Sequence, residues 1–213
     1  MKKIKTILFD LGGVIMTIDQ EQAIHRFKEI GVLDIERHLD PYTQTGIFGD
    51  LECGKISDEE FRSRLSRMTG KDLSWNECQY AWLGYVADVP GYKLEHMLDL
   101  RRRGYRVVLL SNTNPFIMGW AMSDRFDGQG HTLRHYVDEA YLSYQCKAMK
   151  PDERFFRHVV EHEGLIADET LFVDDGPRNV KAAEAMGIHT LCPANGADWT
   201  DDLEQILKKY ETE

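Results

Sequence analysis

Ile4-Lys5-Thr6-Ile7-Leu8-Phe9-Asp10-Leu11-Gly12-Gly13-Val14 is the stretch that decides how this chain is read. A short apolar run ends in an acid, and two glycines follow one residue later. Ile7, Leu8 and Phe9 predict a strand buried on both faces, as strands of a parallel sheet are. Gly12 and Gly13 supply the permissive backbone that a sharp turn needs. Asp10 then stands at the carboxyl end of a central strand, the edge where open α/β sheets bind their ligands. In isolation, Phe-Asp-x-Gly describes an ordinary solvated turn. Three further segments shift the balance.

Outward from there, Arg106-Val107-Val108-Leu109-Leu110-Ser111-Asn112-Thr113-Asn114 reads as another buried strand, ending in a hydroxyl and two carboxamides. Lys150-Pro151 follows a stretch that holds Tyr141, Leu142 and Ser143. Thr170-Leu171-Phe172-Val173-Asp174-Asp175-Gly176-Pro177-Arg178-Asn179 is a strand running into an acid pair and a helix start. Helical periodicity fills the intervals. Ala23, Phe27 and Ile30 share a face, and Gly31 stops that helix. Ser57 and Glu60 predict a capping box ahead of the stripe Phe61, Leu65 and Met68, which Gly70 closes. Ser74 to Glu77 repeats the start signal, and Tyr80, Trp82 and Leu83 after it read as core packing. Further helices carry Leu94, Met97, Leu98 and Leu100, then Phe155, Phe156 and Val159, then Val180, Ala183 and Met186. Ile188 to Leu191 predicts one more strand, and Leu203 to Leu207 a terminal helix.

Strands alternating with helices imply a parallel sheet with right-handed crossovers. The predicted fold is therefore α/β, a doubly wound parallel sheet with an inserted α-helical cap. Residues 1–16 and 88–213 form the core in this reading, and residues 17–87 an all-helical insertion, with Pro90-Gly91 marking the return.

Composition narrows the function. The chain has 213 residues and a formal charge of −10, which argues against a nucleic-acid or anionic-membrane partner. Arg101-Arg102-Arg103 sits in a helix's last turn, where the dipole favours cations. Cys53, Cys78, Cys146 and Cys192 are scattered without Cys-x-x-Cys spacing, so reduced thiols are expected. Met1-Lys2-Lys3 precedes an apolar run interrupted at Asp10, which is no secretory signal, and no segment is apolar for long enough to span a bilayer. The expectation is a cytoplasmic protein.

Acid, hydroxyl-amide, lysine and acid pair occur in that order, three of them at strand ends. The set resembles the four motifs of the haloacid dehalogenase-like hydrolases, a superfamily dominated by magnesium-dependent phosphatases, from Ile4 to about Leu191. Phe-Asp-Leu-Gly before Val14-Ile15, Leu-Ser-Asn-Thr-Asn at Leu110 to Asn114, and Gly-x-Ile-Ser-Asp-Glu at Gly54 to Glu59 are similar to its sugar-phosphatase branch, typified by a bacterial α-D-glucose-1-phosphate phosphatase. The resemblance implies Asp10 as the nucleophile that forms an aspartyl-phosphate. It implies a Mg²⁺ held by Asp10, the Gly12 carbonyl, Asp174 and Asp175, with Asp175 favoured as direct ligand. Lys150 would hold Asp10 ionised beside the phosphoryl group. Ser111, with the Asn112 side chain or backbone N–H, would donate to the phosphoryl oxygens, and Asn179 would orient the acid pair. The expected substrate is a small phosphorylated metabolite such as a sugar phosphate.

One departure stands out. Most phosphatases of the superfamily carry a second aspartate two residues after the nucleophile, as the acid that protonates the leaving alcohol. Here that position is Gly12. Losing such a group typically costs about 10²- to 10⁴-fold. The expectation is a preference for good leaving groups, unless a residue of the insertion such as Asp19 or Glu52 takes over. Two other readings compete: a metal-independent 2-haloacid dehalogenase, and a phosphate-binding protein that has lost turnover.

Overall fold

The computed structural model describes residues 3–39 and 44–211, so Met1 and Lys2 of the basic start lie outside the described residues. In chain order, β1 (Thr6–Phe9) leads to β2 (Thr17–Ile18), followed by helices α1 (Gln20–Glu29), α2 (Gly46–Glu52), α3 (Asp58–Thr69) and α4 (Trp75–Trp82). The chain returns through β3 (Val86–Asp88) to α5 (Gly91–Arg102), β4 (Arg106–Ser111), α6 (Pro115–Ala121), β5 (Glu139–Leu142) and α7 (Ser143–Cys146). It closes with α8 (Glu153–Glu163), β6 (Thr170–Val173), α9 (Pro177–Ala185), β7 (His189–Leu191) and α10 (Thr200–Glu211).

The main sheet is parallel, in the order β5-β4-β1-β6-β7. Alternate residues of β1 feed opposite layers, as the pleat requires. Ile7 and Phe9 join Leu94 and Met97 of α5 and Leu203 and Leu207 of α10. Leu8 joins Phe155, Phe156 and Val159 of α8 and Ala183 of α9. Both faces are covered, which is why β1 carries no polar alternation. From β1 the connections run to β4 and β5 on one side, then resume at β6 and β7 on the other. The β1/β6 boundary is therefore a topological switch point, where a crevice opens at the carboxyl ends.

The insertion is helical except at its neck. There β2 and β3 pair antiparallel, Thr17 with Asp88 and Ile18 with Val86, so the expectation of an all-helical segment is corrected. Strands of two and three residues carry no readable period. Inside the insertion Phe27, Phe48 and Phe61 meet edge to face, with centroids 5.3 Å apart for Phe27 and Phe48 and 5.2 Å for Phe48 and Phe61. Trp82 contacts all three rings, and Phe61 reaches Phe116 of α6 at 5.6 Å, tying the insertion to the core.

Local signals fared unevenly. Ser74 and Glu77 form a complete capping box, whereas Ser57 accepts from the Glu60 N–H but Glu60 turns its side chain to Arg64. Met68 and Tyr80, expected in apolar stripes, are about half exposed, at 47% and 46%. Tyr80 instead donates to Glu29 and lies under Arg26. Arg101 pairs with Asp138 and Arg103 with Glu204, so two of the three arginines are neutralised within the fold. All four cysteines are free thiols.

Candidate active site

Strand register brings the functional side chains together. Phe9 lies between Leu109 and Val173, so Asp10 and Asp174, just beyond β1 and β6, and Ser111, the last residue of β4, converge at one edge of the sheet. The Asp10 N–H continues the ladder by donating to the Val173 carbonyl at 2.9 Å.

Lys150 reaches this edge from the segment before α8, and its ammonium is fully enclosed. An ammonium has three N–H donors, and each finds an acceptor. These are the Leu110 carbonyl at 2.8 Å, Asp10 Oδ2 at 2.9 Å and Asp174 Oδ2 at 2.6 Å. Burial alone would lower the lysine's pKa; the two carboxylates outweigh it and hold the charged form. Asn112 fixes the lysine's backbone, accepting from the Lys150 N–H at 2.8 Å and donating to its carbonyl at 2.9 Å. The Asn112 side chain thus has a different task from the phosphoryl contact expected of it: it positions Lys150.

The two acids of the pair are not equivalent. Asp174 is wholly buried, with Oδ1 accepting from Gly176 N–H at 2.8 Å and Asn179 Nδ2 at 2.9 Å. With Oδ2 on Lys150, it is held from three sides, and the bond from Asn179, expected to orient the pair, goes to this acid. Asp175 is half-buried and lines the cavity. Burial first, then the charge of Asp174, pushes its carboxyl up to about 6. Gly13 explains its seat: at φ +77° and with no side chain, Gly13 leaves a space where a Cβ would stand 2.1 Å from Asp175 Oδ2. That glycine serves a close approach as well as a turn.

Asp10 is buried, with Oδ1 accepting from Leu11 N–H at 2.7 Å. Burial raises its pKa, Lys150 opposes this, and Asp174 and Asp175 add to it. Carboxylate oxygens of Asp10, Asp174 and Asp175 lie within 4.8 Å of one another. Three carboxylates against one ammonium leave two negative charges uncompensated in a poorly hydrated site. An all-oxygen donor set with that charge fits a hard divalent cation. A cation held there would oppose the burial that raises the Asp10 and Asp175 carboxyls. The arrangement suits a carboxylate attack on phosphorus, where positioning and charge neutralisation do most of the work.

Above the acids lies a cavity of about 90 Å³. The core contributes Asp10, the Gly12 backbone, Ser111 and Asp175, and the insertion contributes Glu52 and Trp82 among others. Ser111 is buried, its hydroxyl 3.4 Å from the Asn112 carbonyl, a weak bond that leaves it available to a ligand. Asp19 lies elsewhere: it caps α1 by accepting from the Gln22 N–H at 2.9 Å. Trp82, read in sequence as core, presents an indole N–H that has no partner among the described residues, and buried Thr113 Oγ1 likewise has none among them. Its aromatic setting gave no sequence signal that would separate Trp82 from packing residues.

A model of the haloacid dehalogenase-like hydrolase family matches residues 4–187. A D-ribitol-5-phosphate phosphatase of Bacteroides thetaiotaomicron is 46% identical over 204 residues, spanning 96% of this chain and 98% of that one. A HAD-like family hydrolase from Porphyromonas gingivalis superposes with a TM-score of 0.91 at 45% identity, over 96% of this chain and 98% of the other. An HAD family enzyme from Bacteroides thetaiotaomicron, in complex with magnesium and inorganic phosphate, gives a TM-score of 0.83 at 38% identity, over 93% and 98% of the two chains.

Proposed function

The chain belongs to the haloacid dehalogenase-like hydrolase family and is a phosphatase; we propose that it releases phosphate from a small polyol or sugar phosphate through an aspartyl-phosphate formed on Asp10. Its cofactor is Mg²⁺. The observation that carries this reading is the meeting of Asp10, Lys150, Asp174 and Asp175 at the switch point of the sheet.

Asp10 Oδ2 is the attacking oxygen, and Lys150 keeps it ionised and aimed. Asp175 and Asp10 would hold the cation, with the Gly12 carbonyl, while Asp174 positions Lys150 and adds charge. When bound, Mg²⁺ neutralises the phosphoryl oxygens and lets a carboxylate approach an anion. Ser111 Oγ and the Asn112 N–H donate to the same oxygens. Residues 17–87 act as a cap over the core formed by residues 1–16 and 88–213, excluding water during transfer. Unpaired Trp82 Nε1 and Thr113 Oγ1 offer partners to substrate hydroxyls, which favours a polyhydroxylated carbon chain over an apolar one. The named substrate of the Bacteroides relative, D-ribitol 5-phosphate, is of this class. No helix among the described residues is long and apolar enough to cross a membrane. We place the protein in the cytoplasm, where such metabolites reside and free thiols persist.

The test is a panel of polyol and sugar phosphates assayed for phosphate release with Mg²⁺ and with EDTA, beside chloroacetate assayed for chloride. Mg²⁺-dependent phosphate release with no chloride release is expected. Metal-independent chloride release would overturn the reading in favour of a dehalogenase, and no release of either product would leave the binding-protein reading.

A further inference from the structure

Gly12 leaves the nucleophile's loop without an acid. The space a side chain there would enter borders the neck of the insertion, where the movable end of Ile18 stands 2.7 Å from the position of a Cβ. The proton for a departing oxygen must come from another wall of the cavity. Three acids line it: Asp10, Asp175 and Glu52. The first two belong to the cluster suited to the cation. Glu52 stands apart, at the end of α2 in the insertion.

Glu52 is only 8% exposed although it carries a carboxyl group. Burying a carboxyl is costly unless it is paired or neutral. No cation faces Glu52 among the described residues; its charged or polar company is Asp10 from β1 and the Asn114 carboxamide at the start of α6. Asn114 Oδ1 caps α6, accepting from the N–H groups of Phe116 and Ile117. Its Nδ2 leans toward Glu52 without a hydrogen bond of normal geometry. A buried acid with no cation against it, opening on the cavity that holds the nucleophile, has no ion pair that accounts for its burial.

We propose that Glu52 is the catalytic acid and base of this phosphatase, supplied by the insertion in place of the absent second aspartate. The proposal rests on the phosphatase reading above. In the first half-reaction Asp10 Oδ2 forms a bond to phosphorus, the bond from phosphorus to the substrate's bridging oxygen breaks, and that oxygen leaves with the electron pair. Glu52 gives it a proton, so the product departs as an alcohol. In the second half-reaction the Glu52 carboxylate takes a proton from water as the water oxygen bonds to phosphorus. The bond from phosphorus to Asp10 breaks, and phosphate, free Asp10 and protonated Glu52 are restored. Burial pushes the Glu52 carboxyl up to about 7, with Asn114 opposing and Asp10 adding, so both protonation states are accessible near neutral pH.

The experiment compares two leaving groups on the full chain with saturating Mg²⁺: an alkyl phosphate taken from the panel, such as D-ribitol 5-phosphate, and p-nitrophenyl phosphate. An aryl oxide leaves without help; an alkoxide does not. Glu52→Gln should lower kcat/KM, which reports the phosphoryl transfer to Asp10, by about 10²- to 10⁴-fold for the alkyl phosphate and by less than about tenfold for the aryl phosphate, while kcat, which includes hydrolysis of the shared aspartyl-phosphate, falls for both. Glu52→Asp, which keeps an acid with shorter reach, should recover part of the alkyl rate. Equal losses of kcat/KM on both substrates in both variants would mean a structural role and overturn the proposal. Undiminished alkyl turnover in Glu52→Gln would do the same. Wild-type enzyme that releases no phosphate from either substrate sinks the phosphatase reading instead, so the two failures are distinguishable.

Discussion

At the scale of single residues, Lys150 is the pivot, because each of its three protons has an assigned acceptor and one of them is the nucleophile. Asp10→Asn keeps the shape of this contact but removes the attacking electron pair. Turnover should fall by more than about 10³-fold, while the melting temperature of the metal-free protein does not drop, since one of three crowded charges is gone. Near-normal activity, with deamidation excluded by mass spectrometry, would sink the mechanism. The acid pair offers a second contrast. Asp174 is held on three sides and Asp175 opens on the cavity. Calorimetric titration with Mg²⁺ should therefore show a loss of at least about tenfold for Asp175→Ala and a smaller one for Asp174→Ala, the latter paired with a lower melting temperature. The reverse ranking would reassign the direct ligand. Strand ends exposed Asp10, Ser111 and the acid pair to sequence reasoning. Asn112 was legible as a site residue but not in its role, because its bonds to Lys150 span a separation no local pattern encodes.

At the scale of elements, legibility followed length. Strands of four to six residues built on unbroken runs of three or four apolar ones, such as β1, β4 and β6, announce themselves through that hydrophobicity. α2, whose sequence Gly-Ile-Phe-Gly-Asp-Leu-Glu includes two glycines in seven residues, does not. Propensity opposes such a helix, and it exists because tertiary packing holds it. Phe48 is fully buried and meets Phe27, Phe61 and Trp82. Phe48→Ala should destabilise the protein by roughly 3–5 kcal/mol, read from the urea midpoint at constant m-value. A change below about 1 kcal/mol would mean that the aromatic cluster does not support α2. Because Glu52 lies one turn beyond Phe48, the same variant should lose alkyl-phosphate turnover before it loses global structure.

At the scale of the whole molecule, the acids of the site oppose folding until a cation arrives. Burial raises Glu52 from 4.5 to about 7 and Asp175 from 3.8 to about 6. Between the unfolded and folded values the native state binds more protons than the unfolded chain, so stability falls as pH rises through that window. With EDTA present, unfolding free energy should drop from about pH 4 to about pH 7, and Glu52→Gln should remove up to roughly 3 kcal/mol of that drop. An unchanged slope in the variant would show that Glu52 titrates normally. Mg²⁺ acts in the opposite sense: at about 100 times its dissociation constant it should add roughly 3 kcal/mol and raise the melting temperature by about 5–10 °C, an effect at least about halved in Asp175→Ala.

The place of β1 in the sheet has a consequence for how the enzyme is made. Its two neighbours begin at Arg106 and Thr170, on either side of it. A ribosome delivers β1 before both, and at roughly 5–20 residues per second the strand waits on the order of ten seconds for its second partner. During that wait Ile7, Leu8 and Phe9 have no finished sheet to enter. Pairings this distant in sequence slow folding and leave nascent chains open to aggregation. Asp10, synthesised before both neighbours of its strand, thus reaches its working position only after they are made, and phosphatase activity should appear only once the chain beyond β6 has cleared the ribosome.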